Sequence, residues 1–216
     1  MDVRDLIRYV GRGGQKLEAA LQAFRIDVSG KRALDIGAST GGFTDCLLQH
    51  GAISVFAVDA GVGQLAPTLL TDPRVTSLER KNARELTRTD IGGICAEIVV
   101  MDVSFISATY ILPNFPELLA DCGDAVVLIK PQFEVGRAML GKGGIVKDPK
   151  AHRYAIERVI ASGEAVGLIP GGLIPSPIAG GDGNREFLIH FTRQCNDAAK
   201  VTEQDLLRVT SARTSL

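Results

Sequence analysis

Short apolar runs alternate with amphipathic stretches along most of the chain, and this alternation constrains the fold more than any other feature. The runs at 32–36, 52–58, 74–79, 97–101, 125–129, 168–175 and 186–191 read as strands. Between and around them the spacing predicts helices over 16–24, 43–50, 84–88, 106–120 and 150–166, with a further one near 202–209. In the first of these Leu17, Ala20, Leu21 and Phe24 fall at i, i+3, i+4 and i+7, so one face packs inward and Lys16 stands at the start. Strands separated by helices build an α/β fold, a mostly parallel doubly wound sheet with helices on both faces. In such sheets ligands bind beyond the carboxyl ends of the strands, so the loops that follow strands are where function is expected.

A chain of 216 residues, 45% hydrophobic and 23% charged, has the size and composition of one globular core. Residues 16–193 are expected to form it, between an N-terminal linker segment (1–15) and a polar C-terminal tail (194–216). The longest apolar runs, such as Ala125–Ile129, fall far short of the roughly 20 residues that span a bilayer. Asp2, Arg4, Asp5 and Arg8 stand where a signal peptide would be apolar, which points to the cytoplasm. Cys46, Cys95, Cys122 and Cys195 form neither a CxxC pair nor a zinc-ligand pattern, so reduced thiols and no metal are expected. The net charge of −1 argues against a bulk electrostatic grip on nucleic acid but leaves room for local patches. Residues 130–153 hold Lys130, Arg137, Lys142, Lys147, Lys150 and Arg153 against only Glu134 and Asp148, among several glycines, and read as a basic, flexible loop. Arg4, Arg8, Arg12 and Lys16 recur every four residues and would stripe a helix if Gly11, Gly13 and Gly14 did not interrupt it.

The stretch Asp35-Ile36-Gly37-Ala38-Ser39-Thr40-Gly41-Gly42-Phe43 links the first strand to a helix, and three chemistries compete for it. A dinucleotide-binding loop needs G-x-G-x-x-G, but Ser39 occupies the middle glycine position. The same residues read as G-x-S-x-G, yet the hydrolase elbow normally follows several strands and this loop follows the first. S-adenosylmethionine is the third option, since it brings no phosphate to the loop. Asp59 then ends the second strand where an acid can bond both ribose hydroxyls, Asp35 can organise the ligand's ammonium group, and Asn82 follows the third strand.

Charged residues also close two later strands, Asp102 after Ile98–Met101 and Lys130 after Ala125–Ile129, so both are expected to face the crevice. Lys16 and Glu186 are further candidates, the second following Gly183-Asn184-Arg185 at the entrance to the last strand.

At this point the sequence resembles the TlyA-type proteins, historically called hemolysins, which belong with the FtsJ-like ribosomal RNA 2′-O-methyltransferases. The matching stretches are Arg12–Leu17, Asp35–Phe43, Asp59–Gly61, Asn82–Arg84, Asp102–Ser107, Lys130–Glu134 and Gly183–Glu186, which together cover about 9–193 in the family's order. The resemblance implies a Rossmann-like class I S-adenosylmethionine-dependent methyltransferase. It also implies a Lys-Asp-Lys-Glu tetrad at Lys16, Asp102, Lys130 and Glu186, a cofactor site including Asp35, Gly37, Ala38, Ser39, Gly41, Gly42, Phe43, Asp59, Asn82 and Asp102, and a cytidine ribose of ribosomal RNA as target. Family members usually begin with a small RNA-binding domain and a linker, and this chain starts at about that linker. Substrate capture is therefore expected to involve a separate RNA-binding domain or protein. A second departure is Gly11, where relatives carry serine.

The residues fit that chemistry by themselves. A ribose hydroxyl is a poor nucleophile near neutral pH, so attack on a methyl group needs proton removal and close alignment. Lys130 is assigned as the base or hydroxyl-orienting group, with Asp102 its closest partner. Lys16 and a sulfonium would disfavour its protonated form, while Asp102 and Glu186 would hold the ammonium groups and the ribose. No Asn/Asp-Pro-Pro-aromatic run is present to grip an exocyclic amine. A membrane-active hemolysin is the rival reading, but it needs a long apolar or strongly amphipathic helix, or a closed barrel, and none is apparent.

Overall fold

The computed structural model describes residues 8–193 and 200–211. In chain order the elements are α1 (Gly13–Phe24), β1 (Arg32–Ile36), α2 (Gly42–Gln49), β2 (Ser54–Val58), α3 (Pro67–Leu70), β3 (Val75–Leu78), β4 (Ala96–Met101), α4 (Phe115–Leu118), β5 (Leu119–Ile129), α5 (Pro131–Glu134), α6 (Pro149–Glu164), β6 (Leu168–Pro175), β7 (Phe187–Arg193) and α7 (Glu203–Ser211). The strands form one sheet of order β3-β2-β1-β4-β5-β7-β6. β1 to β5 pair in parallel, and β7 runs antiparallel between β5 and β6. The mostly parallel doubly wound α/β sheet expected from the alternation is therefore observed.

The central strands are apolar on both sides because both faces are covered. Leu34, Ile36, Val99, Met101, Val127 and Ile129 point into one core with Phe115, Phe187 and Phe191. Ala33, Val55, Ile98, Val100, Val126 and Leu128 point into the other, against Leu17, Leu21 and Leu47 of α1 and α2.

Three local expectations are corrected. The 84–88 and 106–120 segments are not long helices. Both break into short 3₁₀ turns, the second also into the single turn α4, where Pro113 and Pro116 cannot continue an α-helical hydrogen-bond ladder. α1 begins at Gly13, so Lys16 sits one turn in and Arg12 flanks the helix. The four-residue recurrence thus marks no helix face; Arg4 lies outside the described residues. The glycines there serve close packing: a Cβ on Gly14 would lie 2.3 Å from the Tyr9 side chain. α7 closes the domain, with Leu206 and Val209 buried, and so is more than polar tail. Arg185 reaches the carbonyls of Val209 and Thr210 in its last turn, where the helix dipole favours a cation. Of the cysteines, Cys46 is buried and Cys122 exposed, while Cys195 lies outside the described residues.

Candidate active site

The loop after β1 folds back over the end of β2, with the N–H groups of Gly37 and Ala38 both donating to the Val58 carbonyl (2.8 and 3.1 Å). Gly37 has φ +85°, and a Cβ there would lie 2.5 Å from the carbonyl oxygen of Asp102, so a side chain cannot be accommodated. Ser39 adopts φ +48°, the left-handed conformation that a glycine would take freely. Ser39 thus takes the backbone shape of the glycine that the dinucleotide pattern has at this position. Its N–H donates to Asp59 Oδ2 (2.8 Å), and the Gly61 N–H donates to Oδ1 (2.7 Å). The Asp59 carboxylate is thereby fixed at the end of β2 with one lone pair left on each oxygen. Asn82 caps the next turn, accepting from the Arg84 N–H (3.1 Å) and donating to Glu85 (3.1 Å). Gly37, Ser39, Asp59, Asn82 and Asp102 line one cavity of about 530 Å³, with Phe105 also on its wall.

A second, smaller cavity of about 230 Å³ shares Gly37, Ser39, Asp102 and Ser104 with the first. Ala38, Gly42 and Phe43 line it, as do Lys16 and Lys130. Lys130 Nζ lies 2.6 Å from Asp102 Oδ1 and donates to Ser104 Oγ (2.7 Å). Lys16 Nζ donates to Glu186 Oε2 (2.5 Å). Burial pushes the Glu186 carboxyl up, Lys16 and then Lys130 pull it down, and Asp102 raises it again, so the four side chains form one electrostatic cluster. The residues nominated from sequence are therefore brought together from α1, the ends of β4 and β5, and the start of β7.

Three of the nominated residues lie off the cavity walls: Glu186, behind Lys16, Asp35 and Gly41. Asp35 is fully buried and lines neither cavity; one oxygen accepts from Thr44 Oγ1 (2.6 Å) and the other has no partner. Burial pushes its pKa up to about 7, against the Thr44 hydrogen bond, so it supports the loop from below and does not present a carboxylate to the open crevice. Gly41, with φ +95°, ends the loop under Leu65 and Leu69.

Three residues that sequence reasoning passed over complete the site. Ser104 is the second partner of Lys130. Glu134 is buried and accepts from Ser107 Oγ (2.5 Å) and the Ala108 N–H (2.7 Å), tying the loop after β5 to the loop after β4. Burial raises its pKa, opposed by those two bonds. Phe105 is 92% exposed, has φ +64°, and stands 5.4 Å from the Phe133 ring. The exposed ring is thus held in a costly backbone conformation beside the cavity. All three lay inside stretches already quoted, but burial and exposure are not legible from spacing.

Residues 9–193 match the FtsJ-like methyltransferase family. The chain belongs to that family. It is therefore an S-adenosylmethionine-dependent methyltransferase. Among relatives, the methyltransferase is 48% identical over 205 residues to YqxC of Bacillus subtilis, a candidate rRNA methyltransferase, covering 94% of this chain and 73% of that one. It is 46% identical over 190 residues to the 16S/23S rRNA (cytidine-2′-O)-methyltransferase TlyA of Mycobacterium tuberculosis, covering 88% and 70%. A solved protein from Lactococcus lactis that carries the hemolysin name superposes with a TM-score of 0.88 at 44% identity, covering 94% of this chain and 97% of that one.

The residues present in the methyltransferase fit the cofactor. The Gly37 cradle has no room for a Cβ, Asp59 offers two free lone pairs for a ribose diol, and the cavity volume lies in the usual range for a small-molecule site. Among the described residues no helix is long and apolar enough to cross a membrane.

Proposed function

We propose that this methyltransferase modifies a ribose 2′-hydroxyl of ribosomal RNA, in the cytoplasm, and that the target is a cytidine. The observation that carries the reading is the Lys130–Asp102 pair opening onto a niche that shares a wall with the cofactor cavity. The cofactor supplies, when bound, an electrophilic methyl group on a sulfonium. Lys130 is the group that aligns the hydroxyl and, as the neutral amine, takes up its proton on the nitrogen lone pair, with Asp102 and Ser104 holding it on two sides. Asp102 anchors Lys130, and the buried Lys16–Glu186 pair fixes α1 against β7 and supplies a second cation beside the niche. Phe105 presents a ring face on which an unstacked base can lie, the usual way single-stranded RNA is held. Asp59 and Asn82 hold the cofactor. The domain over 16–193 carries this chemistry, and a separate RNA-binding domain or protein contributes affinity.

The test is to supply purified small and large ribosomal subunits with methyl-labelled cofactor and digest the RNA in alkali. A 2′-O-methyl group blocks cleavage of its own phosphodiester, so label is expected in an alkali-stable dinucleotide. Label in free mononucleotides, on a base, would contradict the reading; lysis of liposomes without any methyl transfer would favour the membrane-active rival.

A further inference from the structure

The concave surface continues beyond the active site. Phe105 and Ile106, on the wall of the cofactor cavity, also line an open groove of about 550 Å³ whose cations are Arg84, Arg137 and Arg158. Leu140 belongs to that groove and equally to a basin of about 650 Å³ walled by Lys142, Lys147 and Lys150. The three concavities thus follow one another through shared residues, leading from the reacting centre to the lysines.

The charges in the basin are available. Among the described residues none of the three lysines is ion-paired, and the one acid on the wall, Asp148, accepts from the Lys150 N–H (2.9 Å) as the N-cap of α6. Elsewhere on the surface Arg74, Lys81, Arg153 and Arg208 each have a carboxylate partner. The segment carrying the lysines is also fastened, which revises the flexible loop expected from its glycines. Asn184, buried, accepts from the Val146 N–H (2.9 Å) and donates to the Gly144 carbonyl (3.2 Å), and His152 Nε2 donates to the Val146 carbonyl (2.9 Å). Asn184 lies two residues before Glu186, so the strand lead-in that places the tetrad also seats the basin.

We infer that the basin grips the phosphate backbone of the RNA strand adjoining the methylated nucleotide. Unpaired ammonium groups at a fixed distance from Lys130 suit a polyanion that must be threaded into the site in register, and the continuity with the groove favours a nucleic-acid strand over an acidic protein or a lipid surface. This inference rests on the proposed RNA substrate.

The experiment compares the wild type with a Lys142→Ala, Lys147→Ala, Lys150→Ala triple variant. S-adenosylmethionine affinity, measured by calorimetry, is expected to be unchanged, because none of the three touches the crevice. On ribosomal subunits KM should rise about tenfold while kcat stays within about twofold, the pattern of lost uniform binding. For a labelled single-stranded RNA oligonucleotide the slope of log affinity against log salt should shrink by about 2, from roughly 0.7 for each phosphate contact. A wild type inactive on both subunits would overturn the function on which this rests. An active wild type whose triple variant keeps the same KM and salt slope would overturn the grip alone. A variant that keeps RNA binding but no longer retains vesicles of anionic phospholipid would make the basin a membrane-facing surface and would also overturn it.

Discussion

Lys16–Glu186 and Lys130–Asp102 use the same two chemical groups at nearly the same separation, 2.5 and 2.6 Å, in different surroundings. The first joins residues 170 positions apart, helix to strand, and its side chains are 10% and 3% exposed. The second joins the ends of neighbouring strands beside the cofactor cavity, at 11% and 20%. Both lysines line the niche and are almost equally exposed, but Glu186 is sealed and lines neither cavity, so the first pair is held from its acid side and fixes geometry. A pair at the mouth of a cavity can trade a partner for substrate, so it can take part in chemistry. The exposure of the carboxylate, 3% for Glu186 against 20% for Asp102, separates the two roles.

The sharpest way to break this division is Lys16→Ala. It strands the Glu186 carboxylate in a buried site, and the expected loss is about 3 kcal/mol or more of folding stability, read from a denaturant midpoint. A variant that melts like the wild type while losing only methyl transfer would make the Lys16–Glu186 pair catalytic. Asp59→Ala comes next: cofactor affinity should weaken by about 1–3 kcal/mol, measured by calorimetry, the range for lost hydrogen bonds to a charged group. Unchanged affinity would move the ribose site elsewhere. Phe105→Ala removes an exposed ring, so stability and cofactor affinity should hold while KM for subunits rises by about 1 kcal/mol or more, as for a lost base-stacking contact. A loss of stability instead would make Phe105 a packing residue.

The smallest effect concerns Asp35. Its folded-state pKa of about 7 lies above the ordinary 3.8, so between those values the native protein holds a proton that the unfolded chain has released. Stability contributed by that proton is complete below about pH 4 and fades as pH rises towards 7. Asp35→Asn should flatten this part of the profile and raise Tm by a few degrees at pH 8. An identical pH profile in wild type and variant would show that the carboxyl is not under strain.

Much of this was legible in the sequence. The succession of strands, the loop of Asp35–Phe43 and the places of Asp102 and Lys130 follow from apolar runs that end in a charged residue, because strand ends are where a doubly wound sheet exposes side chains. The grouping with Lys16 and Glu186 comes from the family resemblance. The failures have a common cause. Asp35 and Asp102 both close or nearly close a strand, yet one is sealed beneath the loop and the other faces the niche, and only packing decides which. Ser39 was read as a missing glycine because a backbone dihedral has no sequence signature. Glu134 and Asn184 gain their roles by reaching loops distant in sequence, 26 to 40 residues away, which local pattern cannot show.

The central claim is that the Lys130–Asp102 pair at the cavity mouth carries the chemistry, and single-turnover methyl transfer to ribosomal subunits tests it most directly. Lys130→Ala should keep fold and cofactor affinity and lose roughly 10²–10⁴ in rate, the usual contribution of a positioned acid–base group. Lys130→Arg should be as slow, because a guanidinium neither gives up its proton nor fits between Asp102 and Ser104 as an ammonium does. Near-normal rates in either variant would contradict the account and leave alignment of the two substrates as the source of catalysis.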